Sequence, residues 1–191
     1  MIEKLADKMI EFQVSKGTIH SEDANIYRYG YILLFEIIIN IFISFLMGIL
    51  LGKIQEVIFF LLLFITLRSF CGGYHAKRIW ECIVLSNAVM ACAIVINIYF
   101  GKYVLPVLLY VTIVIVLSVI ICSMAPVDNK NKRLNEKERI FYKKCSIITA
   151  IIENGIGITM ILLGQYSFAY IVIYVYIIQL ISIIIGKRCK G

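Results

Sequence analysis

The chain has 191 residues, 61% of them hydrophobic and only 16% charged, with a formal net charge of +7. A soluble domain carries nearer 25% charged residues, so the composition excludes one and indicates a single integral membrane domain over 1–191. Nucleic acid is excluded as a partner, because too little polar surface remains to bind it.

Residues 1–16 place Ile2, Leu5, Met9 and Phe12 at helical spacing, with Glu3, Lys4, Asp7, Lys8 and Glu11 on the opposite face. Segment 1–20 therefore opens with an amphipathic helix, lying in the membrane interface or against a neighbouring subunit. Those charges also argue against a cleavable signal peptide. After Gly17, Ser21 followed by Glu22 and Asp23 reads as a helix start with Ser21 as N-cap.

Six apolar runs follow, approximately at 29–51, 54–71, 81–100, 103–122, 145–164 and 167–186. Each has roughly the 17–25 residues that cross a hydrocarbon core of about 30 Å. Tyr27, Tyr29, Tyr31, Trp80, Tyr99, Tyr103 and Tyr142 stand near run ends, as interfacial aromatics do. The expected fold class is all-α: a polytopic membrane protein of six transmembrane helices with an N-terminal amphipathic interfacial helix.

Lysines and arginines divide unevenly among the connections. Seventeen flank the N-terminus, the second and fourth connections and the C-terminus, and two, Lys53 and Lys102, flank the first and third. That asymmetry predicts a multi-pass membrane protein with both termini, and the second connection, on the cytoplasmic side.

The sizeable polar loop is 123–144, with Lys130, Lys132, Arg133, Lys137, Arg139, Lys143 and Lys144. Asn135 and Glu138 have the spacing of a capping box, so a helix is expected to start there and continue into the fifth run. The charge serves orientation and contact with anionic membrane lipids, or else docks an acidic peptide.

The six cysteines (71, 82, 92, 122, 145, 189) contain no CxxC pair and do not form a disulfide framework. Chemistry concentrates instead in stretch 68–82, which holds Arg68, Cys71, Gly72, Gly73, His75, Lys77, Arg78, Trp80 and Cys82. On one straight helix His75 and Cys82 would be about 10 Å apart, too far for a hydrogen bond. A working pair thus requires the chain to bend back before Cys82, and Gly72-Gly73 supplies the backbone freedom. With Cys82 in the first turns of the third span, the helix N-terminus and nearby Lys77 and Arg78 favour a thiolate. Cys71-x3-His75-x6-Cys82 lacks standard metal-ligand spacing, and neither a metal nor a cofactor is expected.

Backbone N–H groups at Gly72, Gly73 or Cys82 are candidate oxyanion donors. Arg68 either holds a substrate carboxylate or the oxyanion, or marks the end of the second span. Cys71 is a second thiol able to compete as nucleophile. Glu153 lies about 12 Å into the fifth span, counted from Cys145. An intramembrane carboxylate pairs with Arg68, orients His75, or makes a polar helix–helix contact beside Gly155 and Gly157. Glu36 and Asn40 in the first span carry the same ambiguity.

The pattern Arg68-x4-Gly73-x-His75-x6-Cys82, with a span on either side, resembles the accessory gene regulator B (AgrB) family of membrane cysteine endopeptidases in Gram-positive quorum sensing. The resemblance extends to chain length, amphipathic N-terminus, span number and basic fourth connection. It implies cleavage of the acidic tail from a short AgrD-like precursor with an amphipathic helix, and assistance in closing a thiolactone or lactone ring. It further implies a homodimer working on the cytoplasmic side. By resemblance Cys82 is the nucleophile and His75 the general base, with Arg68 and Gly73 in support. The alternative is a non-catalytic peptide exporter or peptide-binding membrane protein, with the basic loop and Glu153 forming its pathway.

Overall fold

The computed structural model of the protein describes residues 2–74, 78–127 and 134–188. These form seven helices: α1 (Ile2–Ser15), α2 (Ala24–Leu50), α3 (Ile54–Cys71), α4 (Ile79–Phe100), α5 (Val107–Met124), α6 (Glu136–Leu162) and α7 (Tyr166–Arg188). Among the described residues there is no strand, only an isolated parallel bridge between Gly72 and Val127. Helices α2 to α7 coincide with the six apolar runs and are each long and apolar enough to cross a membrane. Their Ile- and Val-rich sequences are poor helix formers in water. In hydrocarbon the helix is imposed, because it satisfies every backbone N–H and C=O internally. The protein is a multi-pass membrane protein.

By internal contacts the chain divides into units 1–44 and 45–191. In the first, α1 is tied to α2 by Arg28 Nε donating to Asp7 at 2.6 Å and by Gln13 donating to the Tyr31 hydroxyl. These ties turn Ala6 and Ile10 inward and leave Leu5 and Phe12 exposed. The buried face is therefore rotated from the stripe expected through Leu5, Met9 and Phe12. Ser21 is not the N-cap of α2. It lies in a turn closed by Asp23 N–H to His20 C=O, and the helix begins three residues later, at Ala24, with the Asp23 carbonyl accepting its first amides.

The second unit is built around α7, which packs against α3, α4, α5 and α6 and is the most buried of the spans. Its core joins Val57, Phe60, Leu63 and Leu67 of α3 to Val114 and Ile121 of α5 and to Ile171, Val172, Val175 and Ile183 of α7. Polar side chains knit these apolar surfaces. The Tyr110 hydroxyl of α5 donates to the Ala169 carbonyl, and the Tyr176 hydroxyl of α7 lies 3.1 Å from the Ala150 carbonyl. Asn154 on α6 reaches the Ser118 hydroxyl on α5 at 3.1 Å. Gly157 permits the approach of α6, since a side chain there would run into the Tyr110 hydroxyl and Val172.

Asn135 caps α6 as expected: its side chain accepts from the Glu138 N–H, and Glu138 reaches back to the Asn135 N–H. From the second turn of α6, Lys143 donates to the Cys122 and Ala125 carbonyls at the C-terminus of α5. A cation there satisfies carbonyls without an intrahelical partner and complements the helix dipole. The middle of the basic loop, 128–133 with Lys130, Lys132 and Arg133, lies outside the described residues.

Candidate active site

Helix α3 ends at Cys71, and the chain reverses over two glycines with positive φ, 68° at Gly72 and 140° at Gly73. The turn falls at the glycine pair where a bend was expected; the course of the chain through His75 lies outside the described residues. L-residues with side chains rarely adopt these angles, and space forbids them as well. A Cβ on Gly72 would strike the Val127 carbonyl, and one on Gly73 would strike the Arg68 guanidinium.

The reversed segment is fastened on three sides. Arg68, in the last turn of α3, curls over its own C-terminus and donates to the Gly72 and Tyr74 carbonyls and the Ser182 hydroxyl. From α7, Gln179 Nε2 donates to the Gly72 carbonyl at 2.8 Å, while Ser182 receives the Tyr74 N–H through its backbone carbonyl at 3.0 Å. Gly186, two turns beyond Gln179, leaves room for the Gly73–Tyr74 peptide to lie directly on α7. On the remaining side the Val127 N–H donates to the Cys71 carbonyl at 2.9 Å. Residues 72–74 are thus held as a strut against the C-terminal part of α7.

Arg68 therefore spends its donors on the loop that precedes His75. His75 itself, with Lys77, lies outside the described residues. Helix α4 starts at Ile79 after Arg78 in an extended N-cap conformation, which sets Cys82 in its first turn, half-buried. Arg78 and Glu81 approach each other at 3.9 Å on that same turn. The Cys82 N–H donates to the Arg78 carbonyl and the Gly72 N–H to the Arg68 carbonyl, so both amides are engaged in helix-type bonds.

Cys71 differs from Cys82 in its surroundings. It is fully buried at the end of α3, beside Ser146 of α6 and Cys122 of α5. Glu153 is also buried, and it is reached by the Thr66 hydroxyl of α3 at 3.2 Å, while its second oxygen has no hydrogen-bond partner among the described residues. That is the polar helix–helix contact among the three roles considered for it. In the first span, Asn40 donates to the Glu36 carbonyl one turn back. Among the described residues no three His, Cys, Asp or Glu side chains gather in a metal-holding group.

The sequence did not single out Gln179, Ser182, Gly186 or Val127. A signal was present for the first three. Gln179, Ser182 and Gly186 recur at helical spacing within an otherwise apolar run, and polar groups in a span require a partner. Val127 carried none, because it contributes a backbone group.

Comparison with protein families matches residues 2–183 to accessory gene regulator B. An AgrB-like protein of Clostridium perfringens strain SM101 is 30% identical over 168 residues, covering 85% of this chain and 78% of its own. A second AgrB-like protein, from Clostridium perfringens strain 13, is 27% identical over 172 residues, covering 87% of this chain and 80% of its own. No solved structure matches the chain.

Proposed function

Because the chain belongs to the accessory gene regulator B family of quorum-sensing membrane proteins, we propose that it is a membrane cysteine endopeptidase acting on an AgrD-type precursor peptide. The observation that carries this reading is the setting of Cys82. It is half-buried, in the first turn of α4, on the far side of a clamped glycine bend. The positive end of a helix dipole beside the sulfur favours the negative charge it carries during attack.

In this reading His75 takes the Cys82 thiol proton as the sulfur attacks the carbonyl before the precursor's acidic tail. The C–N bond breaks, His75 returns the proton to the departing amine, and a thioester remains on Cys82. A thiol or hydroxyl of the same peptide then attacks the thioester carbonyl. Its proton passes through His75 to the departing Cys82 sulfur, which closes the ring and restores the enzyme. Arg68, Gly72 and Gly73 act by fixing the backbone that leads to His75. Glu153 is structural.

Convergence of the second connection, the start of the basic fourth connection and the end of α7 on one end of the 45–191 unit supports a cytoplasmic site beside a cytoplasmic C-terminus, and the lysines and arginines of segment 1–28 favour the same side for the N-terminus. We assign the working form as a homodimer on the family's pattern. The decisive experiment is reconstitution in liposomes with a cognate precursor, read by mass spectrometry. A peptide adduct on Cys82 is expected, and Cys82→Ala and His75→Ala should insert normally yet release no tail. Tail release by Cys82→Ala overturns the proposal.

A further inference from the structure

A cleft of about 540 Å³ opens where the C-terminus of α5, the first turns of α6 and the C-terminus of α7 come together. Arg139, Lys143, Lys144 and Lys187 line it, together with Pro126 and Ile140, and no acidic side chain is among the described residues that do. Lys143 forms part of the wall. Two of its N–H groups are held by the Cys122 and Ala125 carbonyls, which fixes its charge in place. Lys144 and Lys187 are exposed.

The height of these cations along the helices is informative. Lys144 is the last charged residue of α6 before its apolar run, and Lys187 is the first after the apolar run of α7. Both therefore fall where hydrocarbon gives way to headgroups. One turn toward the bilayer centre, each helix exposes isoleucine: Ile120 on α5, Ile147 and Ile148 on α6, Ile184 on α7. A cationic recess above exposed aliphatic surface on three helices suits an amphiphile. A soluble acidic peptide would use the charges and leave the isoleucines unused.

We propose that this cleft is a binding site for one anionic phospholipid, its phosphodiester among Lys143, Lys144 and Lys187 and its acyl chains along the three isoleucine-bearing faces. The site is separate from Cys82 and stands whether or not Cys82 is catalytic. A phosphate carries the negative charge that several converging cations require to lie close together.

The test is native mass spectrometry of the full-length protein in micelles containing phosphatidylglycerol or phosphatidylcholine. One phosphatidylglycerol per chain should be retained in preference to phosphatidylcholine. The double variant Lys144→Gln/Lys187→Gln should weaken that retention by about 30-fold, the loss of two interfacial cations. Lys102→Gln, an exposed lysine in the α4–α5 connection, should leave it unchanged. Circular dichroism checks that the double variant is helical, and the single Lys187→Gln at the exposed end of α7 supplies a milder second measurement. Equal retention of the two lipids overturns the proposal, as does undiminished retention in both variants. Displacement of the lipid by equimolar glycerol phosphate, or by an acidic hexapeptide, would assign the cleft to a soluble phosphate or to a peptide instead.

Discussion

Gly186 and Gly73 meet backbone to backbone: a Cβ on Gly186 would stand 2.9 Å from the Gly73 carbonyl carbon and 2.9 Å from the Tyr74 nitrogen. Neither partner can give way cheaply, since one is a helix and the other a peptide group held by Arg68. Gly186→Ala should therefore displace the 72–74 strut and cost about 1–3 kcal/mol, the usual range for overpacking. Gly155→Ala, where a Cβ meets nothing within 4 Å, should be neutral or stabilising by up to about 1 kcal/mol. Thermal unfolding in detergent compares the two, and tail release should fall in the first variant alone.

Arg68 reaches three acceptors with one planar group, the carbonyls of Gly72 and Tyr74 and the hydroxyl of Ser182. A lysine keeps the charge but lacks the fork. Arg68→Lys should therefore lose most of the activity of the parent, about 100-fold in kcat for a misplacement near 1 Å. KM for the precursor should change little, since Arg68 acts through the backbone. A rise in KM with unchanged kcat would instead mark Arg68 as a direct substrate contact. Ser182→Ala, which removes one of the three acceptors, should fall between Arg68→Lys and the parent.

The two thiols of the 68–82 stretch separate by burial. Cys71→Ala should retain tail release at a stability cost of about 1 kcal/mol, as expected for a small group removed from a packed core. Cys82→Ala should release nothing. In the folded parent, maleimide should label Cys82 well before Cys71, which is fully buried beside α5 and α6. Peptide mapping by mass spectrometry after brief labelling locates the adduct and reads the order directly.

Glu153 has one oxygen 3.2 Å from the Thr66 hydroxyl and the other without a partner among the described residues. An amide can still accept from Thr66 and removes any charge penalty of burial, so Glu153→Gln should not lower thermal stability. Tail release should stay within about threefold of the parent, a barrier change of no more than about 0.7 kcal/mol. A peptide exporter with Glu153 in its pathway predicts the reverse: failure in Glu153→Gln and survival in Cys82→Ala.

The spans were legible in the sequence because the bilayer leaves an apolar segment of 18 or more residues little choice of conformation. The capping box at Asn135 and the bend at Gly72-Gly73 were legible for the same kind of reason, as each rests on local backbone chemistry. What clamps the bend was not. Arg68 stood at a position that also marks the end of a span, and only the three-dimensional course of the chain turns it back onto Tyr74. The partner of Glu153 was hidden among many hydroxyls, since Thr66 lies 87 residues away in sequence. The register of α1 was missed by one residue, about 100° around the helix, because Asp7 and Gln13 bond to α2, and an apolar stripe does not record such ties.

The hydrogen bond from the Val127 amide to the Cys71 carbonyl, part of the Gly72–Val127 bridge, joins two connections that are far apart in the chain. Everything C-terminal to Val127 before α6 is the basic loop, and everything C-terminal to Cys71 before α4 leads to Cys82. The two loops thus share a hinge post. In deuterium exchange, the Val127 and Tyr74 amides should open together, and a ligand that slows one should slow the other.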